Sequence, residues 1–166
     1  TGPEIWDDCD GSIDVLATCQ KHGYGVLFYE NTTSTAFDPE WTTHVITTDA
    51  DGASSVYVTD MDNDGDMDVL SAGSDQQTVH EIILYENDGN QNFTDNFIHG
   101  GIVYVNNVYA IDLDRDSDKD LISSGGYEIV WHENLGDNNF SDNTENLINN
   151  SGAKDFASGD INQDGS

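Results

Sequence analysis

The chain has 166 residues, with 33 acidic side chains against 4 basic ones and a formal net charge of −29 at pH 7. A field of that sign argues against nucleic acid and anionic membrane surfaces as partners and points to cations, a saline milieu or both. Hydrophobic residues make up 36% of the chain, enough to build a core, so the charge does not imply disorder. No apolar run reaches the ~18 residues that a membrane helix requires.

The elements are read in chain order. Asp14 to Thr18 is the first strand candidate, followed by "VLFYEN" to Asn31 and "WTTHVITT" from Trp41. Ser54–Thr59, Asp68–Ala72, Glu81–Glu86 and Phe93–His99 come next. After them stand "VNNVYAIDLDRDSDKDLISSG" from Val105, in which Leu121-Ile122 reads as strand, then "IVWHEN" to Asn134 and "FSDNTENLINN" from Phe140. No segment keeps a helical period of 3.6, and Gly, Asn and Asp punctuate the gaps between runs. Cys9 and Cys19 flank the first strand, ~15 Å or more apart at ~3.3 Å per residue. A disulfide needs Cα atoms within ~7 Å, whereas two cysteines in a secreted chain usually pair; the pairing stays open.

The chain repeats. "GASSVYVTDMDNDGDMDVLSAG" from Gly52, "VNNVYAIDLDRDSDKDLISSG" from Val105 and "GAKDFASGDINQDGS" from Gly152 each lead into an Asp-rich loop. Asp60, Asp112 and Asp160 lie 52 and 48 residues apart. Strands ending in Glu-Asn recur as "VLFYEN", "IILYEN" and "IVWHEN". The units are approximately 1–50, 51–101, 102–151 and a truncated 152–166, within one domain over 1–166. Four short strands in each unit of about 50 residues predict an all-β fold of propeller blades. The near-continuous runs "VYV" and "IIL" suit strands covered on both faces. About three blades are present, where a propeller typically has 4–8. With a start at Thr1-Gly2-Pro3 rather than Met, the expectation is a piece of a longer chain, the rival being copies that complete one another.

The loops supply oxygen ligands at alternate positions. In a nine-residue frame, Asp60, Asp62 and Asp64 take positions 1, 3 and 5, Gly65 takes the sharp turn at 6, Asp66 takes 7 and Asp68 takes 9. Alternate carboxylates in a tight loop converge on one point, and a hard cation with 6–8 oxygen ligands fits there; irregular geometry favours Ca2+ over Mg2+. Position 7 is expected to offer its backbone carbonyl and position 9 to close the site. The next frame has Asp112, Asp114, Asp116, Asp118 and Asp120, with Ser117 at the turn, where a side chain makes the turn more costly. The last has Asp160, Asn162, Asp164 and Gly165. The first is degenerate, with Asp8, Asp10, Gly11 and Asp14 at positions 3, 5, 6 and 9 and Trp6 at position 1. An EF-hand would need a bidentate Glu at position 12, but Ser71 and Ser123 stand there. A solvated-turn reading explains one such loop; it does not explain frames recurring in register.

"GASSVYVTDMDNDGDMDVLSAG" followed by "IILYENDGNQNF" resembles the VCBS / FG-GAP repeat family of calcium-loop β-propellers, which includes integrin α-subunit head repeats. The likeness covers nearly the whole chain; the first unit and Ser117 depart from it. It implies calcium in the hairpin loop joining the first two strands of a blade and extracellular or cell-surface placement. It also implies adhesion, carbohydrate-binding or scaffolding roles, with protein or glycan partners or copies of the chain itself. A few family members are polysaccharide lyases.

Other chemistry is less marked. The histidines His22, His44, His80, His99 and His132 form no zinc motif, and there is no nucleophile elbow or phosphate loop. His44 and His132 are expected in packing or surface roles. The sequons at Asn31, Asn92, Asn139 and Asn149 are weak glycosylation candidates that equally suit turns. Tyr57, Tyr109, Tyr85, Phe28 and Trp131 recur at matching strand positions and are expected in the core. A lyase acting on an anionic polymer needs cationic side chains, and only Lys21, Arg115, Lys119 and Lys154 exist. The sequence therefore points to a calcium-binding structural module and not an enzyme, with a lectin as the alternative.

Overall fold

The structure is a computed structural model that describes residues 14–19, 25–32, 40–50, 52–74, 80–98, 104–126, 128–141 and 145–149. These residues form eleven strands and no helix, arranged as three antiparallel sheets of consecutive strands. The first sheet is β1 (Val15–Cys19), β2 (Gly25–Asn31) and β3 (Trp41–Thr47). The second is β4 (Ala53–Thr59), β5 (Asp68–Ser74), β6 (His80–Asn87) and β7 (Phe93–Phe97). The third is β8 (Val105–Ile111), β9 (Asp120–Gly125), β10 (Glu128–His132) and β11 (Glu145–Asn149). The second and third sheets are four-stranded meanders, the form expected of propeller blades.

Register repeats between blades. Val69 pairs with Tyr85 and Leu121 with His132, and the Asp loops close the β4–β5 and β8–β9 hairpins. A bulge interrupts β4 at Ser54 and β8 at Asn106. The two bulges touch, since Ser54 Oγ donates to the Asn106 carbonyl at 3.2 Å. A bulge frees a backbone group from its own ladder, and here that group joins neighbouring blades. Opposite the first bulge, a Cβ added to Gly73 would lie 2.7 Å from the Ala53 Cα, so only glycine fits.

The core lies between sheets. Leu70, Ile82 and Leu84 of the second sheet meet Val105, Val108, Leu121 and Val130 of the third. Val26, Ala50, Ala53, Val69 and Tyr85 fill the space between the first and second. Full burial of each large apolar side chain contributes about 1.5–3 kcal/mol. Two-sided burial falls most heavily on β5 and β9, where Asp68–Gly73 and every residue of β9 are buried. The "VYV" of β4 is only half-buried. Position in the sheet explains the difference: β5 and β9 have a strand on either side, whereas β4 is an edge strand. Of the recurrent aromatics, Tyr85 is fully in the core, whereas Phe28, Tyr57, Tyr109 and Trp131 are partly buried. Tyr57 and Tyr109 meet across adjacent blades with ring centroids 5.2 Å apart. His44 stacks on Phe28 and bonds Glu30 at 2.8 Å, while buried His132 bonds Ser123 Oγ at 2.7 Å. Cys9 lies outside the described residues, and with it the question of a disulfide.

Candidate metal centre

Each described Asp loop spans a tight hairpin between strands, which fixes its ends at ladder spacing. Two backbone positions take left-handed angles in both loops: position 4, at Asn63 (φ 62°) and Arg115 (φ 67°), and position 6, at Gly65 (φ 101°) and Ser117 (φ 86°). The loops therefore share one conformation, although only one has the glycine that suits it. Left-handed backbone costs a residue with a side chain about 1–2 kcal/mol. Ser117→Gly is thus expected to stabilise the protein by about 1 kcal/mol, read as a rise in the denaturant midpoint at unchanged m-value. A lower midpoint would show that the Ser117 side chain has a role of its own.

Carboxylates converge inside these turns. Potential ligand atoms of Asp60, Asp62 and Asp68 lie within 4.8 Å of one another, as do those of Asp112, Asp114 and Asp116. The position-1 carboxylate is held the same way in both. Asp60 Oδ2 accepts the Gly65 N–H at 3.2 Å, and Asp112 Oδ2 accepts the Ser117 N–H at 3.2 Å. The other oxygen, Oδ1 of Asp60 and of Asp112, is buried with no hydrogen-bond partner. Asp62 and Asp114 each accept an N–H from two residues on, as do Asp64 and Asp116. These bonds curl the backbone so that alternate side chains turn inward.

Asp64 and Asp66 stand outside the first cluster, as do Asp118 and Asp120 outside the second. The Asp66 carboxylate packs over Gly89, where an added Cβ would collide with its Oδ2, and the Asp118 carboxylate faces Gly136. Asp68 and Asp120 are fully buried. Asp68 accepts the Met61 N–H and the Asn87 N–H, both at 2.8 Å. Asp120 accepts the Leu113 N–H at 3.1 Å and the Asn134 N–H at 2.8 Å. Asp14, also buried, accepts the Asn31 N–H at 2.8 Å. Asp8, Asp10, Asp160, Asn162 and Asp164 lie outside the described residues.

The Asn of each Glu-Asn pair is the component that sequence reasoning left without a role. Asn87 and Asn134 donate backbone N–H to the position-9 carboxylate and side-chain amide to the position-8 carbonyl, of Met67 and Lys119 respectively. Their side-chain oxygens accept the Gly89 and Gly136 N–H groups. The strict recurrence of Glu-Asn after each third strand was the available signal. Of the sequons, Asn92 donates its side chain to the Asp88 carboxylate within a turn, while Asn139 is exposed.

Crowding shows in the titration of the loops. Burial pushes the Asp68 carboxyl up to about 6, against the two backbone donors that lower it, and Asp62 and Asp64 add repulsion. Asp62 and Asp114 are raised by desolvation and by neighbouring carboxylates. Oxygen-only donors, a negative field and an orphaned buried carboxylate oxygen in each loop fit a hard divalent cation.

A family model described as FG-GAP-like repeat matches the chain twice, over residues 8–71 and 60–123. Each match runs from one Asp frame into the strand that follows the next. No curated protein and no solved structure matches the chain significantly.

Proposed function

The chain belongs to the FG-GAP-like repeat family, and on that premise we propose that it is a calcium-stabilised β-propeller module of an extracellular or cell-surface protein, serving adhesion or assembly and not catalysis. The observation that carries the calcium assignment is the pair of buried, unpartnered oxygens, Asp60 Oδ1 and Asp112 Oδ1, at the same position of two loops. Left unpaired, such atoms cost several kcal/mol each; a bound cation removes that cost and the mutual repulsion of the cluster.

The residues that would hold the ion are Asp60, Asp62 and Asp68 in one loop and Asp112, Asp114 and Asp116 in the other. The position-6 N–H fixes one oxygen of each position-1 carboxylate, leaving the second free to ligate. Carboxylate-rich calcium loops suit compartments rich in the ion, and extracellular placement accords with that. Partners are protein or glycan surfaces, or further copies of the chain; nucleic acid is disfavoured by charge. No helix of the described residues is long and apolar enough to cross a membrane.

Calorimetric titration with calcium tests the reading. Asp60→Asn and Asp112→Asn are each expected to weaken or remove one binding event. Calcium binding unchanged in the double variant would refute the assignment.

Carbohydrate binding is the second reading, supported by Trp41 and Tyr104, aromatics 45% and 62% exposed. Binding on a glycan array that disappears in Trp41→Ala or Tyr104→Ala would favour it over a purely protein-directed role.

A further inference from the structure

Only four side chains in this protein are basic, and Lys119 is placed where two acidic loops meet. It occupies position 8 of its own frame, where the two preceding frames carry the apolar Ile13 and Met67. Its backbone is held tightly. The Lys119 carbonyl accepts the Asn134 side chain at 3.1 Å, and both oxygens of the adjacent Asp120 are bound. Its side chain leaves this loop altogether. Nζ donates to the backbone carbonyl of Asp60 and, at 3.2 Å, to Asn63 Oδ1. Those are positions 1 and 4 of the neighbouring loop, one carrying the orphaned oxygen and the other the left-handed turn.

We propose that Lys119 is a positioning residue that couples the two cation loops, so that filling the 112–120 loop raises the affinity of the 60–68 loop. The inference rests on the calcium reading above. The physical basis is shared order. Without a cation, Asp112, Asp114 and Asp116 repel one another, and that repulsion works against the bonds that hold the backbone at Lys119. Once their charge is neutralised, position 8 is fixed and its ammonium clamps Asp60 and Asn63 in the ligating arrangement. The entropy cost of ordering the 60–68 loop is then partly met before its own ion arrives. Reciprocity follows: filling the 60–68 loop favours filling its neighbour by the same factor. Direct repulsion between two bound dications acts in the opposite sense and does not depend on Lys119. The sign of the coupling therefore separates the two effects.

The amide of Gly65, which donates to Asp60 Oδ2, reports the 60–68 loop alone, because the neighbouring loop has Ser117 in its place. The test follows this resonance in labelled full-length chain as calcium is added. Disabling the second loop with Asp112→Asn and Asp114→Asn is expected to move the Gly65 midpoint to at least about fivefold higher calcium, the low end of ordinary coupling. In a Lys119→Met background the same pair is expected to move it less than about twofold or toward lower calcium, and Lys119→Arg is expected to retain the shift. An equal shift in the Lys and Met backgrounds, or none in either, overturns the coupling while leaving calcium binding intact. A Gly65 resonance that ignores calcium in the parent chain refutes the calcium reading and the coupling with it. Should the double substitution lose spectral dispersion, Asp114→Asn alone carries the same comparison.

Discussion

Chelation is expected to lower the melting midpoint of this protein by ten degrees or more, with calcium restoring it where magnesium does not. The expected size follows from mass action. A site filled at a thousandfold its Kd contributes about 4 kcal/mol, and about 1 kcal/mol shifts a domain of this length by roughly 2–4 °C. Two described loops present the orphaned oxygens that make the effect specific. Magnesium demands near-octahedral ligation and keeps its water, which an irregular set of loop carboxylates does not satisfy. Acidity supplies a second arm. In the chelated protein Asp68 titrates near 6, above the ordinary ~3.9 of an unfolded chain. The folded state then binds the proton more tightly. That contribution is fully present below about pH 4 and is lost as pH rises through about 6. Chelated protein should therefore gain the order of 2 kcal/mol between pH 7 and pH 4 to 5, and calcium affinity should fall over the same window as proton and cation compete. A midpoint indifferent to chelator would refute the stabilising role of the ion.

Asp68→Ala, measured in chelator, is expected to cost about 3–5 kcal/mol. It leaves the Met61 and Asn87 N–H groups without an acceptor inside the protein, and hydrogen bonds to a charged group contribute about 1.5–3 kcal/mol each. Met61 makes matters worse, because its side chain is 1% exposed within the core between the second and third sheets. A loosened loop would disturb apolar packing as well as the ion. Asp64→Ala is the control. Its carboxylate lies on the exposed side of the loop and accepts one local N–H, so in chelator it should cost less than about 1 kcal/mol. Urea unfolding of both variants decides the matter. Equal losses would mean that Asp68 acts only as a cation ligand and not as a structural tie.

Much of this was legible in the chain. Alternation of Asp at 60, 62, 64, 66 and 68, repeated 52 residues later, fixed the hairpin loops and the strands leaving them, because side-chain period and turn chemistry are local properties. Strand bounds drifted only at their ends: β5 runs to Ser74, β6 includes His80 and Asn87, and β7 stops at Phe97, where the Ile98 N–H bonds the Ile82 carbonyl instead. Ser117 announced its strained turn by departing from glycine. The partners of the loops were not legible. Asn87 meets Asp68 across 19 residues and Lys119 meets Asp60 across 59. The first depends on strand pairing within one sheet and the second on the stacking of neighbouring sheets, and neither partner is a local property of its loop. Nor did an aspartate at position 9 reveal that both its oxygens would serve backbone amides.

The bond from the Asn of each Glu-Asn pair to the position-9 Asp has a bearing on where this architecture tolerates change. Its span is 17 residues in the first sheet, 19 in the second and 14 in the third, yet the donor–acceptor distance is 2.8 Å in all three. The strand pairs that these bonds tie, β1–β2, β5–β6 and β9–β10, differ in strand length and in the residues that connect them, and the tie is indifferent to both. In the second sheet the far end of that pair is Ser74 with His80, remote from the Asp loop, so length added there does not register at the tie. Foreign peptides of several residues inserted after Ser74 should be carried without loosening the ion-binding end, which makes that edge the natural place to graft a recognition loop.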